Sequence, residues 1–396
     1  MAKGILVINA GSTSVKFSAY SCGGAELLDL VCHGELEGIG SQPSFGVKDS
    51  NGKTVDAHDW KEGDPLDQEG ALRFVITWFE AHQTDLEIAA VGHRVVLGGL
   101  AYERPVLVDE TVLSTLEKLE TVEPSHQPYE VDAIRAVARA NRKLPQVAVF
   151  DTSFHRTMPA VAQRYALPAA ITGDLIRHWG FHGISYDYIS RALPRYAPTA
   201  RRAIVAHLGG GASMCAMLDG KCMDTSMGFS AIEGLPMSTR CGAIDPEILL
   251  FLMRVMKHNA ADLETLLYKK SGLLGISGIS GDMRLLKDSK APSAAEAIDY
   301  FVYQIVKFAG AYTAVLGGLD AFVFTAGIGE NDAPLRAAVV EKLAWLGAKL
   351  DVDANNRNGP RISTEDSKVS VWVIPTNEEL MIAQHTASLA GLTKSQ

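Results

Sequence analysis

The stretch IVAHLGGGAS, Ile204 to Ser213, decides how this chain is read. It opens on two β-branched residues, runs apolar to His207, and then meets three consecutive glycines. That pattern predicts a buried strand stopping at the histidine. Gly209, Gly210 and Gly211 let the backbone turn tightly and leave its N–H groups uncovered. Such a turn can cradle a phosphate, and it can equally be an ordinary hairpin. The chain repeats the theme near its start: ILVINAGSTS, Ile5 to Ser14, places Asn9 where the later copy has His207. A second strand follows each turn, VKFSAY after the first and MCAML after the second. AFVFTAGIGEN, Ala321 to Asn331, is a third strand-then-glycine segment, read as a turn. Three such turns point to nucleotide-phosphate binding. The first two point to an internal duplication, with one phosphate-facing turn in each half.

At 396 residues the chain is expected to hold two domains. Hydrophobic content of 47% and charged content of 21% fit a soluble globular protein. A net charge of -9 argues against a nucleic-acid binder, which needs basic excess. The five cysteines (Cys22, Cys32, Cys215, Cys222, Cys241) are scattered, without CxxC or zinc spacing. They read as reduced thiols in a cytoplasmic protein. The apolar N-terminus is broken by Asn9 and Gly11, so it reads as a strand and not a signal peptide. The most membrane-like window, Phe308 to Gly329, contains Asp320 and several glycines and reads as helix, stop and strand.

Taken in order, residues 3–60 look like a β-meander with turns at Gly23-Gly24 and Asn51-Gly52. Leu66 to His82 reads as an amphipathic helix, Ala89 to Gly99 as a strand with a polar stop at His93 and Arg94. Helices are expected over Thr111 to Glu120 and Pro128 to Ala140, and a strand over Gln146 to Phe150 ends at Asp151. The second half repeats the order, with helices near Pro159 to Tyr165 and Ser185 to Leu193 before the Ile204 strand. A hairpin through Asp219-Gly220 follows, then a long irregular segment, Met223 to Pro246, of the kind that is usually functional. Asp245 and Pro246 start a helix. Gly275 to Gly281 reads as a loop entering a helix at Asp282. A last strand, Val369 to Ile374, precedes a closing helix, Asn377 to Leu389. The fold class is α/β, two duplicated halves with mixed sheets flanked by helices.

Polar residues gather at strand ends: Asn9, Arg94, Asp151, His207 and the GIGEN segment, where α/β sheets place ligands. Arg94 and Arg240 lie in glycine-bordered segments and could grip carboxylate or phosphate oxygens, or form structural ion pairs. His182 and His126 are candidates on spacing alone, and no histidine pair has zinc-hydrolase spacing. Thr376 to Glu379 fits a capping box, which would occupy Glu379 and free Glu378 to hold Mg²⁺ directly or through water. Asp151 could do the same, act as a base, or serve as a cap.

These segments in order (NAGSTSVK, GHRVV, FDTSFH, GFHGIS, HLGGGAS, DTSMGF, STRCG with IDP, TAGIGEN and TNEEL) closely resemble the acetate kinase family. They span Asn9 to Leu380. The resemblance implies two duplicated actin-like (ribonuclease H-like) domains with the nucleotide in the cleft between them. These would be residues 1–151 with 383–396 on the acyl side, and residues 152–382 on the nucleotide side. It implies a cytoplasmic homodimer that converts acetate and ATP reversibly to acetyl phosphate and ADP with Mg²⁺, Mn²⁺ being able to substitute. The charge balance and the interrupted apolar windows add the expectation of no nucleic-acid or membrane partner. By motif, Asn9 and Glu378 match the metal site and Lys16 a nucleotide-phosphate contact. Arg94 matches the acyl-carboxylate contact, Asp151 the proton donor or acceptor, and His182 and Arg240 the transition-state stabilisers. His207, Leu208, Gly209, Gly210 and Gly211 match one ATP-binding segment. Asp282, Met283 and Arg284 match a second, and Gly327, Ile328, Gly329, Glu330 and Asn331 a third. His126 matches a further active-site histidine. Val96 and Phe181 match residues lining the pocket for the acyl methyl.

The sequence departs from the family pattern at several points. Gly210 stands where the family has asparagine, Leu97 where it has histidine, Ser125 where it has leucine, and Ala231 where it has proline. Ser125 and Ala231 are smaller than the residues they replace and would enlarge the acyl pocket. One methylene is worth only about 1 to 3 kcal/mol of discrimination, so propionate is an expected alternative. Acetate is ionised near neutral pH, so Asp151 is expected to orient arginine or metal-bound water and not to act as a true base. Competing readings are a propionate or butyrate kinase, an actin-like ATP-binding protein without acyl transfer, and a nucleotide hydrolase.

Overall fold

A computed structural model describes residues 2–23, 28–61, 66–82 and 86–392. Gly24 of the first expected turn lies outside them. The chain forms two compact units, Met1–Ser153 with Asn377–Gln396, and Phe154–Thr376.

The first unit opens with five antiparallel strands, β1 (Ala2–Ala10), β2 (Ser14–Cys22), β3 (Leu28–Glu37), β4 (Ser44–Asp49) and β5 (Thr54–Asp59). Helix α1 (Gln68–His82) follows, then β6 (Leu86–Val95), β7 (Val106–Leu107), α2 (Glu110–Lys118), α3 (Gln127–Ala140) and β8 (Gln146–Phe150). Among the described residues these strands make one sheet in the order β5-β4-β3-β2-β1-β6-β8-β7. The meander pairs antiparallel, whereas β1, β6 and β8 run parallel. Ala71, Leu72, Val75, Trp78 and Phe79 form the buried stripe of α1, at the spacing of one helical face. They pack on Phe17 and Phe45 of the meander. Each large side chain buried this way contributes roughly 1.5 to 3 kcal/mol. The C-terminal helix Glu378–Leu389 packs along β6, β1 and β8. Residues 377–382, expected in the second domain, therefore belong to the first unit, because that helix docks as a whole.

A 3₁₀ turn, Ser153–Thr157, carries the chain from the first unit into the second. The second unit continues with α4 (Ala169–Thr172), α5 (Gly183–Tyr196), β9 (Arg202–Leu208), β10 (Ala212–Leu218) and β11 (Lys221–Thr225). Then come α6 (Pro246–Arg254), α7 (Ala260–Lys269), α8 (Gly272–Ser277), α9 (Met283–Asp288) and α10 (Pro292–Leu316). Strand β12 (Ala321–Thr325), helices α11 (Ala326–Asn331), α12 (Ala333–Lys342) and α13 (Val352–Asn356), and strand β13 (Ser370–Val373) complete it. The sheet order is β11-β10-β9-β12-β13. Strands β9, β10 and β11 pair antiparallel, and β9, β12 and β13 run parallel. This is the pattern of β3-β2-β1-β6-β8, so the duplication read from the two glycine turns is present in the topology.

Three local expectations are corrected. Residues 159–165 form turns and no helix: their bonds are single i,i+3 contacts, and Val161 is exposed, so no buried face sustains helical turns. The Gly275–Gly281 loop begins later than expected, because Gly272–Ser277 is helical where it packs on α10. The GIGEN segment is helix α11 and not a turn. Ala326 enters it in the left-handed region, at φ 64°, and donates its N–H to Glu330 Oε1. No helix among the described residues is long and apolar enough to cross a membrane.

His93, in the middle of the parallel strands, is buried. Its Nε2 lies 2.7 Å from Gln146 Oε1, while Nδ1 is buried without a partner. Burial pushes this imidazole down from its ordinary 6.5 to about 4. A depressed basic group costs stability as pH falls below the unfolded value, since the unfolded chain takes up the proton first. Between pH 7 and pH 5 His93 should remove about 2 kcal/mol. Urea unfolding of wild type and His93→Gln at both pH values checks this. The variant should lose that part of the pH slope, and equal slopes would contradict it.

Candidate active site

Strands β6 and β8 are parallel neighbours, and the register sets Arg94 beside Val149, one strand end away from Asp151. Arg94 grips Asp151 with two atoms, Nη2 to Oδ2 at 2.6 Å and Nε to Oδ1 at 3.3 Å. Its Nη1 donates to Asn9 Oδ1 at 3.3 Å. Asp151 is almost completely buried. Burial works against the Arg94 charge, but Asp151, Glu378 and Glu130 outweigh it and hold the guanidinium above its ordinary value. Burial pushes Glu378 up to about 7, against Arg94. It pushes Glu130 up to about 8, again against Arg94. Glu130 Oε2 accepts the Val96 N–H at 2.9 Å, so the backbone beyond Arg94 is fixed from beneath. Gln127 holds Leu97 through both its N–H and its C=O.

Glu378 reaches this set by a different route from the expected capping box. The N-cap is Asn377, whose side chain accepts from Leu380 N. The Thr376 N–H instead goes to Glu330 Oε1 at 3.1 Å. Glu378 is therefore the first helical residue. Lys16 sits directly opposite Asn9 across β1 and β2, which places both side chains on one face. Its Nζ lies 3.8 Å from Glu35. His126 Nδ1 lies 2.9 Å from the buried Glu123 carboxylate.

Asn9 and Glu378 are hard oxygen donors gathered around one guanidinium, the chemistry that suits a magnesium-class ion. A dication would also relieve the desolvation that raises Glu378. The residues present fit such an ion.

In the second unit, β9 and β10 form the hairpin around Gly209–Gly211. His182 caps α5 in the left-handed region, at φ 57°. Its ring stacks on His207 with centroids 4.2 Å apart. Each imidazole is held through Nδ1 by a serine: His182 by Ser213 at 2.8 Å and His207 by Ser185 at 2.9 Å. Tyr186 supports Ser213, and Thr376 supports Ser185. Phe181 is buried. Arg240 donates to the Ala231 carbonyl at 3.0 Å.

A pocket of about 660 Å³ lies in this unit, a size suited to a nucleotide-sized ligand. Gly209, Gly210, Asp282, Gly327, Ile328 and Asn331 wall it, with Met283 and Arg284. His207, Leu208, Gly211, Gly329 and Glu330 are not on that wall. Leu208 is buried in the core. Glu330 is used as a latch, accepting the N–H groups of Ala326 and Thr376. Arg284 folds back on Asp282 at 2.6 Å, and this pair holds the Asp282 carboxyl down at about 2.

Several residues here escaped sequence reasoning. Ser238 and Lys287 line the pocket, and Lys287 pairs with the buried Asp332 at 2.9 Å. Glu130 and Gln127 could have been found as polar residues on the apolar face of α3. Ser185, Ser213 and Tyr186 carry no signal until the histidines are seen in three dimensions.

The acetokinase family model matches residues 4–384. An acetate kinase of Rhodopseudomonas palustris is 46% identical, over 98% of each chain. One from Clostridium botulinum is 42% identical, over 97% of this chain and 99% of its own. A propionate kinase structure from Francisella tularensis aligns with a TM-score of 0.90 at 35% identity, covering 98% of this chain and 100% of that one. A Porphyromonas gingivalis acetate kinase structure aligns at 0.88 and 34% identity, with 98% and 100% covered.

Two glycines of the nucleotide-sized pocket should respond differently to a methyl group. At Gly281 an added Cβ would lie 2.6 Å from the Ser238 carbonyl oxygen, whereas at Gly210 the nearest atom is Ser238 Oγ at 3.7 Å. Gly281→Ala should weaken ATP binding by about tenfold or more, and Gly210→Ala by less than about threefold. Titration calorimetry of each variant with ATP reads the contrast.

Proposed function

The chain belongs to the acetokinase family, and we propose that it transfers the γ-phosphoryl group of ATP reversibly to acetate, giving acetyl phosphate and ADP. The observation that carries this reading is the Arg94 guanidinium, held by Asp151 through two atoms and flanked by Glu378. An acetate ion needs a fixed cation to meet it and has no proton to lose. Arg94 is that cation, with its fork oriented by Asp151. Asp151 is thus a positioning group for Arg94 and not a base.

Phosphoryl transfer asks for in-line placement and charge neutralisation more than for covalent help. Asn9 and Glu378 would hold the divalent ion, Mg²⁺ with Mn²⁺ able to substitute. That ion supplies neutralisation of phosphate oxygens. Lys16 adds a phosphate contact. The glycine turn at Gly209–Gly211, the α9 start at Asp282–Arg284 and helix α11 bind the nucleotide. His182 and Arg240 stabilise the charge of the transferring group, each contact of this kind being worth roughly 3 to 4 kcal/mol. Ser213 fixes the His182 ring for that task. Val96 and Phe181 offer apolar surface to the acyl methyl, and His126 lies on the acyl side.

Propionate is the second reading. It is supported by the small residues Ser125 and Ala231 and by the likeness to the Francisella tularensis propionate kinase. Hydroxylamine trapping of acyl phosphate with ATP and Mg²⁺, comparing acetate, propionate and butyrate by kcat/KM, separates the readings. Acetate preference is the expected result. Equal propionate use would assign specificity to Ser125 and Ala231. No acyl phosphate from any acid would leave an ATP-binding protein or a hydrolase.

We also propose a cytoplasmic homodimer without nucleic-acid or membrane partners. Support comes from the acidic net charge of -9 and from α6, which buries none of its residues. Ile248, Leu250, Phe251 and Met253 of α6 are exposed, a patch of the kind that marks an interface.

Asp151→Asn should lower kcat/KM for acetate by about 100-fold. Because Asp151 acts through Arg94, the double variant with Arg94→Lys should be little worse than the poorer single variant. Near-normal turnover of Asp151→Asn would contradict the positioning role. For the dimer, Phe251→Glu should yield monomers in sedimentation velocity, and an unchanged dimer would place the interface elsewhere.

A further inference from the structure

Beside the Phe181–His182 segment lies a group of side chains that the transfer reaction does not use. His155, Cys215 and Cys222 are all buried, and one donor atom of each lies within 4.8 Å of the others. Cys215 Sγ is 3.5 Å from Cys222 Sγ. His155 Nδ1 is 3.1 Å from Cys222 Sγ. The other ring nitrogen, Nε2, lies 2.9 Å from the Phe181 carbonyl oxygen. A carbonyl only accepts, so Nε2 carries the proton. In the neutral ring Nδ1 is then a lone pair directed at the sulfur.

This is how proteins prepare an imidazole for a metal: the outer N–H is held by a carbonyl, which fixes tautomer and ring plane. The ring is also locked from one side. Gly180 approaches so closely that a Cβ there would lie 2.4 Å from His155 Cγ. Thr157 Oγ1 ties the 3₁₀ turn to the Cys222 carbonyl at 2.9 Å.

We propose that His155, Cys215 and Cys222 form a site for one thiophilic dication of the zinc class. An ion 2.3 Å from sulfur and 2.0–2.1 Å from nitrogen in tetrahedral geometry needs S···S of about 3.8 Å and N···S of about 3.6 Å. The Cys215–Cys222 and His155–Cys222 separations are within about half an ångström of these values, and the donor atoms of His155 and Cys215 lie within 4.8 Å of each other. Loading replaces the two thiol protons, which leave to solvent, and no electron moves. Two thiolates and a dication are neutral together, which a buried site requires. The site is distinct from the oxygen-donor set of Asn9 and Glu378 and does not rest on the acceptor being acetate.

The test uses full-length protein produced in zinc-supplemented medium and dialysed with excess Mg²⁺. Atomic emission should find about one zinc per chain in the wild type and in Cys32→Ser, and less than about a tenth in Cys215→Ser and Cys222→Ser. X-ray absorption on the wild type needs no variant and should show two sulfur neighbours and a histidine nitrogen. Zinc well below stoichiometric in folded wild type, a sphere of oxygen and nitrogen alone, or zinc retained in both cysteine variants would each overturn the proposal.

Discussion

The contact on which the first unit's chemistry depends is the two-atom grip between Arg94 and Asp151. It exists because β6 and β8 are parallel neighbours whose ends bring a guanidinium and a carboxylate to one level. A planar fork bound at two points has no rotational freedom left. Its third face then points to Asn9 on β1. Three successive strands thus deliver one residue each, and the C-terminal helix adds Glu378 where its first turn begins.

That arrangement also concentrates charge. Glu130, Asp151 and Glu378 surround a single arginine. Two of the three carboxyls are pushed upward by burial despite the cation beside them. A site with this excess of acid would repel a carboxylate substrate if all three were ionised together. Burial raises Glu130 and Glu378 together, and the rise makes Glu378 a group that gains from a dication. The second unit has a different economy: its two stacked imidazoles are kept in place by neutral hydroxyls from Ser185 and Ser213.

Much of this was legible in the sequence. Asn9, Arg94 and Asp151 each interrupt an apolar run at its end, and that one-dimensional signal survives into three dimensions because strand ends align in a sheet. The duplication was legible through the two glycine turns, although the order of strands within each sheet was not. Spacing points to Glu378 through a capping box that the chain does not form, since the cap belongs to Asn377 and the Thr376 N–H goes to Glu330. A capping box and its neighbour one residue on differ by hydrogen bonds that spacing alone does not specify. The GIGEN segment reads as a turn because its glycines mask a short helix fixed by Glu330. Cys215 and Cys222 are brought together by the pairing of β10 with β11, whereas His155 stands 67 residues before Cys222 in the 3₁₀ turn that Thr157 ties to the Cys222 carbonyl, a proximity no spacing in the chain announces.

The repeated sheet carries two glycine turns at equivalent strand ends, and their surroundings are unequal. Beside Gly11 a side chain would meet only the Ser14 carbonyl oxygen, at 3.7 Å, whereas at Gly211 it would press on the His182 ring at 3.3 Å. After a duplication the two copies begin with the same freedom to drift. Here the first turn has kept that freedom at its glycine, and the second has kept it at Gly210, where the nearest atom is also 3.7 Å away, but narrowed it at Gly211 beside an imidazole. Divergence between the copies is therefore channelled: a new side chain has room at Gly11 and at Gly210, while at Gly211 it must first move a histidine from the start of a different helix.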